Sequence, residues 1–238
     1  MKNNLQIRDK FMLYILAGLG VCRAIDLAFL GGFNNFVYTR KRLYYMEGLK
    51  LIASDYLNRE KIYYLTSKGY NEIERMHRTY TMNHTTYHDV EVARIATYLY
   101  LRDGISYRDI LTDRQMKYVM KGSNIHRPDL VVGSIAYEYE RTIKTWARLK
   151  ENIRVNGRFA RQVWVVPDDK TTLQDRIVKF ARELHLDNVE VMTLGSVNEL
   201  VVNADIKQNV LRNVAVCGER DFAQLTRRQN ADVNKYLR

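Results

Sequence analysis

Apolar residues recur at helical spacing in the first fifty positions and predict a series of short helices. Residues 8 to 19 place one apolar side chain after another near a single helical face. A second helix is predicted over 23–30, where Gly31-Gly32 ends it, and a third over 35–47, where Gly48 ends it. The chain therefore begins with three helices joined by tight turns.

Two apolar runs follow these helices and predict a pair of strands. They extend from Leu49 to Tyr56 and from Lys61 to Leu65, and four residues, 57–60, separate them. Such spacing is typical of a β-hairpin. Three helices followed by a hairpin predict a winged helix-turn-helix domain over residues 1–80.

The pattern changes after residue 80, where strands and helices alternate. A helix over 81–103 comes first, and helices are again predicted over 143–156, over 171–185 and, more loosely, from 205 to the end. The predicted strands cover 105–110, 128–133, 135–141, 162–167 and 189–194. Alternation of this kind predicts an α/β (α+β) domain over residues 81–238 with a C-terminal helical tail.

The charge of the chain indicates a class of binding partner. The chain carries 38 Lys and Arg against 27 Asp and Glu, a net charge of +11, which favours a polyanion such as DNA. The two cysteines, Cys22 and Cys217, lie far apart, so neither a disulfide framework nor a thiolate zinc site is expected. The N-terminus lacks a signal-peptide pattern, and we expect a cytoplasmic protein with no membrane role.

The third predicted helix carries side chains suited to reading bases. In a helix-turn-helix the second helix of the motif enters the major groove, where asparagine pairs with adenine and arginine with guanine. The predicted DNA-binding residues of this helix and of the following hairpin are Asn35, Tyr38, Arg40, Lys41, Arg42, Arg59 and Lys61. The alternatives are a solvated basic face and a protein-binding surface.

Three acidic residues mark the most informative part of the second domain. Asp129 opens an apolar run, Gly133-Ser134 forms a turn, and Glu138 and Glu140 share one face of the returning strand because strand side chains alternate. Carboxylates that meet in this way repel one another unless a cation neutralises them. The pattern predicts a Mg²⁺ or Mn²⁺ site, and the alternative is a surface hairpin with solvated acids.

The same stretch resembles the PD-(D/E)xK nuclease superfamily, with Pro128-Asp129 as the first half of the motif and Glu138-Tyr139-Glu140 as the second. The resemblance implies a restriction-endonuclease-like fold in which Asp129, Glu138 and Glu140 are catalytic metal ligands. Glu140 replaces the usual lysine, and Lys144 could supply the missing positive charge, form a salt bridge to Glu140 or simply be solvated. Glu91, on the preceding helix, is a candidate fourth ligand or a helix-surface acid.

More narrowly, the sequence around 127–153 resembles the replication-relaxation family of plasmid proteins and the related MOBC relaxases. This implies a sequence-specific nickase that acts on double-stranded DNA at the transfer origin of a plasmid or integrative element. Cleavage by metal-activated water is favoured over a covalent tyrosine intermediate. Further candidate partners are relaxosome accessory or coupling proteins and a second copy of the chain. The alternatives are a non-catalytic DNA-binding factor and a transcriptional regulator.

Overall fold

A computed structural model describes residues 5–73, 80–120, 125–142 and 145–208 of the chain. The N-terminal part of the fold is a helical unit with a small sheet. Its elements are α1 (Ile7–Leu19), β1 (Val21–Arg23), α2 (Ala24–Leu30), α3 (Phe36–Gly48), β2 (Ile52–Leu57), β3 (Glu60–Leu65) and α4 (Ser67–Glu72). The three strands are antiparallel in the order β1-β3-β2. Asn58 and Arg59, both at positive φ, turn the chain between β2 and β3.

The rest of the described chain forms a five-stranded mixed sheet between helices. Its elements are α5 (Thr86–Asp103), β4 (Ile110–Thr112), α6 (Asp113–Val119), β5 (Leu130–Val132), β6 (Ile135–Tyr139), α7 (Trp146–Asn156), β7 (Arg161–Val166), α8 (Thr171–Glu183), β8 (Val189–Thr193) and α9 (Leu194–Asn203). The strand order is β4-β5-β6-β7-β8. The first three strands are antiparallel to one another, whereas β6, β7 and β8 are parallel.

Connection lengths explain this mixture of directions. A tight turn through Gly133, at a φ of 55°, returns β5 into β6 as an antiparallel pair. The parallel pairs need long crossovers, which α7 and α8 provide. Residue alternation then gives each face of the sheet its own apolar layer. Along β7, Val163 and Val165 pack towards α1 and α5, while Trp164 and Val166 pack against α7 and α8.

One apolar core continues from the N-terminal unit into the mixed sheet. Its buried members include Phe11 of α1, Leu99 of α5 and Tyr137 of β6, which lie on both sides of the predicted boundary at residue 80. The division into domains at 1–80 and 81–238 stays a prediction. Among the described residues, no helix combines the length and the apolar character needed to cross a membrane.

Most of the predicted elements are present, and the sequence pattern missed three. The missed elements are β1, α6 and α9. Two predicted elements start later than expected, since the helix predicted over 81–103 begins at Thr86 and the strand predicted over 105–110 begins only at Ile110. The tail predicted from residue 205 lies largely outside the described residues, which end at 208. The mixed helix-and-strand class is confirmed.

Candidate functional site

Asp129 is held against the end of β6 by a backbone hydrogen bond. It directly precedes β5, and the β5–β6 register pairs Leu130 with Tyr137, so Asp129 lies beside the last residues of β6. The backbone N–H of Tyr139 donates to Asp129 Oδ2 at 2.8 Å. The predicted approach of Asp129 to the returning strand is therefore observed, and the main chain fixes the position of its carboxylate.

Glu138 points to the face of the sheet that α7 covers. Its Oε1 accepts a hydrogen bond of 2.8 Å from Nδ2 of Asn156, the last residue of α7. Tyr137 and Tyr139 belong to the apolar core on the opposite face, as the alternation of strand residues predicts. Glu140 follows the strand, where its backbone N–H donates to the carbonyl of Val165 on β7 at 3.0 Å.

Asp129 and Glu138 lie close enough to Glu140 to raise the pKa of its carboxyl group. We call Asp129, Glu138 and Glu140 the acidic site. Burial raises the pKa of Glu140, and the negative charges of Glu138 and Asp129 raise it further, to about 7. Burial likewise raises the pKa of Glu138, with Asp129 adding to the rise and His126 opposing it. Acids that disfavour each other's charge are typical of functional sites.

Two histidines supply positive charge to the acidic site. His126 Nε2 lies 2.5 Å from Glu138 Oε1, and His88 Nε2 lies 3.2 Å from Asp129 Oδ2. Burial lowers the pKa of His88, but the charge of Asp129 and hydrogen bonds to Asp129 and Asp89 outweigh it and raise the pKa to about 11. Burial also lowers the pKa of His126, and the charge of Glu138 raises it above its ordinary value. His88 is therefore a cation at neutral pH, and the carboxylate of Glu138 favours the charged form of His126.

The sequence pattern did not identify these histidine partners. His126 stands three residues before Asp129, which is the one local clue to its role. The spacing of His84 and His88, at i and i+4, suggests a pair on one helical face, but α5 begins at Thr86 and leaves His84 exposed outside the helix.

Glu91, a predicted member of the acidic site, is paired with an arginine elsewhere. Glu91 is buried on α5, where its Oε1 lies 2.6 Å from an Arg23 guanidinium nitrogen of β1. Its second oxygen, Oε2, is buried without a hydrogen-bond partner. Lys144, the predicted source of positive charge, lies outside the described residues. The roles of both residues as ligand and cation stay predictions.

The donor atoms of the acidic site suit a hard divalent cation. They are carboxylate oxygens together with Oδ1 of Asn156, which is buried beside Glu138 without a hydrogen-bond partner. In the arrangement described, however, no three His, Cys, Asp or Glu side chains among residues 5–73, 80–120, 125–142 and 145–208 are grouped as a metal cage. Asp129 and Glu138 instead pair with His88 and His126, respectively. Holding Mg²⁺ or Mn²⁺ would require Asp129 and Glu138 to exchange those partners for the ion.

The predicted DNA-binding residues divide into exposed and internally bonded side chains. Arg40 and Lys41 on α3 and Arg59 at the β2–β3 turn are exposed. Arg42 forms an ion pair with the buried Asp9, with Nε–Oδ1 at 2.9 Å, and Lys61 Nζ lies 3.0 Å from Glu47 Oε2. Asn35 caps α3 by accepting from the Tyr38 backbone N–H at 3.0 Å.

These pairings give some of the predicted residues a structural task. The Tyr38 hydroxyl donates to Gln6 Oε1 at 2.9 Å, and Arg42 and Lys61 neutralise neighbouring acids. Arg40, Lys41 and Arg59 have no such task in the described structure and are the side chains best placed to meet a polyanion. Contact with DNA stays a prediction for all seven residues.

Comparison of the chain with protein-family models, with curated proteins and with solved structures gave no match in any of the three. Its function is therefore inferred from its own residues.

Proposed function

We propose that the protein is a DNA-binding, metal-dependent endonuclease of the MOBC relaxase type, which nicks double-stranded DNA at the transfer origin of a plasmid or integrative element. The observation that carries the proposal is the meeting of Asp129, Glu138 and Glu140 at the ends of two paired strands, where Asp129 raises the pKa of Glu138 and both raise the pKa of Glu140. A divalent cation would remove this repulsion.

The order of the elements supports the two folds that the sequence predicts. Three helices and a sheet in the order β1-β3-β2 suit a winged helix, whose second motif helix would be α3. A mixed sheet with α5 on one face and α7 on the other suits a restriction-endonuclease-like core. Both assignments are part of the proposal.

The three acidic residues have two tasks in the proposed reaction, which are to hold the ion and to exchange a proton. Asp129 and Glu138 hold the ion, and the backbone N–H of Tyr139 and the Asn156 amide orient their carboxylates. When bound, Mg²⁺ or Mn²⁺ polarises the scissile phosphate and lowers the pKa of a water molecule. Glu140, with a pKa of about 7 in the absence of the ion, is suited to exchange a proton at neutral pH.

The test is a nicking assay on supercoiled plasmid that carries the DNA adjoining the gene for this chain. Wild type with Mn²⁺ is expected to convert it to the open circular form, and Glu138→Gln to lose on the order of 100-fold or more of that rate. Glu151→Gln is the matched control, because Glu151 is an exposed acid on α7. Equal nicking by wild type and Glu138→Gln would reject the acidic site as the catalytic centre.

A second candidate is a DNA-binding replication or relaxosome accessory factor that does not cut. It is favoured by the ion pairs that His126 and His88 already form with Glu138 and Asp129. Wild-type binding to origin DNA without nicking, at any Mn²⁺ or Mg²⁺ concentration, would support this candidate over the first.

A further inference from the structure

Two tyrosines are largely exposed, one on α3 and one on β2 of the β2–β3 hairpin. Tyr44 has 79% and Tyr56 has 68% of its surface exposed, which is unusual for large side chains with apolar rings. Neither ring stacks on another ring in the described part of the chain, and neither belongs to an apolar core cluster. Packing among the described residues therefore does not explain them.

Glu47 shows that the two tyrosines border the same surface. Arg40, Tyr44 and Glu47 recur at i, i+4 and i+7 and so share one side of α3. Glu47 bonds to Ser54 of β2 and, at 3.0 Å, to Lys61 of β3, which places that side of the helix against the hairpin.

The hairpin contributes the opposite side of this surface. Tyr56 pairs across the strands with Lys61, and alternation puts Tyr63 on the same face. Burial raises the pKa of Tyr63, and Arg40 and Tyr56 both lie close enough to influence it. We call the surface formed by Arg40, Tyr44, Tyr56 and Tyr63 the tyrosine cleft.

The charge around the tyrosine cleft is positive. Arg40, Lys41 and Arg59 are exposed, and the acid of this surface, Glu47, is already paired with Lys61. Cations beside exposed aromatic rings suit a phosphate backbone whose bases can stack on the rings. In uninterrupted duplex the faces of the bases are covered by their neighbours, so tyrosine rings gain little there.

We propose that the tyrosine cleft binds unpaired bases of DNA, which stack on Tyr44 and Tyr56 while Arg40 and Arg59 contact the adjoining phosphates. The inference rests on the proposed DNA binding and specifies the form of DNA that the N-terminal unit prefers. It requires no cleavage, so it can be tested in EDTA, where the acidic site is inactive in the proposed reaction.

The experiment measures fluorescence anisotropy of three labelled oligonucleotides: a single strand, its full duplex, and a duplex with one bulged base. Tyr44→Ala/Tyr56→Ala is expected to weaken binding of the single strand and the bulged duplex about 10-fold or more, and binding of the full duplex less than about 2-fold. Tyr44→Phe/Tyr56→Phe keeps the rings and should bind like wild type. Val202→Ala, at a residue 74% exposed on α9, is the control for loss of a surface apolar group.

The outcomes separate this inference from the proposed function. Equal losses on all three oligonucleotides, no loss at all, or tighter binding of RNA than of DNA of the same sequence would overturn it. Absence of wild-type binding to any of the DNAs would instead reject the proposed function. Urea unfolding of each variant checks that the fold is intact.

Discussion

Two groups of charged residues each include side chains of α5, and they differ in the cations that they contain. The first, which we call the arginine cluster, consists of Arg23, Asp26, Glu91 and Arg94. Arg94 Nε lies 3.0 Å from Asp26 Oδ1, and Arg23 lies 2.6 Å from Glu91. The acidic site instead sets three carboxylates against two histidines. One group has an arginine for each acid, and the other has an excess of acid.

The difference suits a structural role for the arginine cluster and the proposed chemical role for the acidic site. Arginine keeps its charge at all relevant pH values, so the acids of the arginine cluster have permanent partners. Histidine pairs with a carboxylate through a single ring nitrogen and can turn away, and its carboxylate is then available to another cation. The type of cation beside a buried acid therefore indicates whether that acid can take part in binding or catalysis.

The largest effect is expected from removing an arginine. Arg94→Met should lower the free energy of unfolding by about 3–5 kcal/mol, because it leaves Asp26, which is fully buried, without its cation. Urea unfolding at pH 7 measures the change. Asp26→Asn combined with Arg94→Met should recover part of the loss, and a single variant as stable as wild type would contradict a structural role for this pair.

A change of opposite sign is expected in the acidic site. The folded-state pKa of Glu140 is raised to about 7 from 4.5, so its contribution to stability is present below pH 4.5 and is lost as the pH rises through 7. Glu140→Gln should match wild type near pH 4.5 and exceed its unfolding free energy by up to about 3 kcal/mol at pH 8. Urea unfolding in EDTA across this range measures the difference. A difference that does not change with pH would show that Glu140 is not destabilised by its neighbours.

The smallest effect is expected for Glu60, an exposed acid that pairs with Arg23 of the arginine cluster. Glu60 lies 2.5 Å from Arg23 Nε, but its side chain is 55% exposed. Glu60→Gln should therefore change the unfolding free energy by less than about 1 kcal/mol. The same urea titration measures it. A loss as large as that of Arg94→Met would mean that the exposure of Glu60 does not reduce the strength of its ion pair.

The sequence predicted those elements whose residues carry a local pattern. Gly31-Gly32 and Gly48 mark the ends of α2 and α3, and the apolar runs mark β2 and β3. The strand β1 has three residues and exists through its pairing with β3, which is distant in sequence. The helix α6 was missed although Thr112 and Gln115 form a capping box that can be read from the sequence.

The sequence predicted the part of the acidic site that follows from a local pattern. Alternation along β6 predicts the side to which Glu138 points, and the Gly133 turn predicts that Asp129 returns towards it. The partners of these acids come from α5, α7 and the loop before β5, and no local pattern connects those segments. Long-range contacts decide which cation each acid meets.

The helix α5 connects the N-terminal sheet to the acidic site. Within two turns it carries His88, which bonds to Asp129, then Glu91 and Arg94, which bond to β1 and α2. A helix is stiff over such a distance, so α5 holds His88, and with it the partner of Asp129, at a fixed spacing from the N-terminal sheet. The surroundings of that carboxylate are therefore set in part by elements from the first third of the chain.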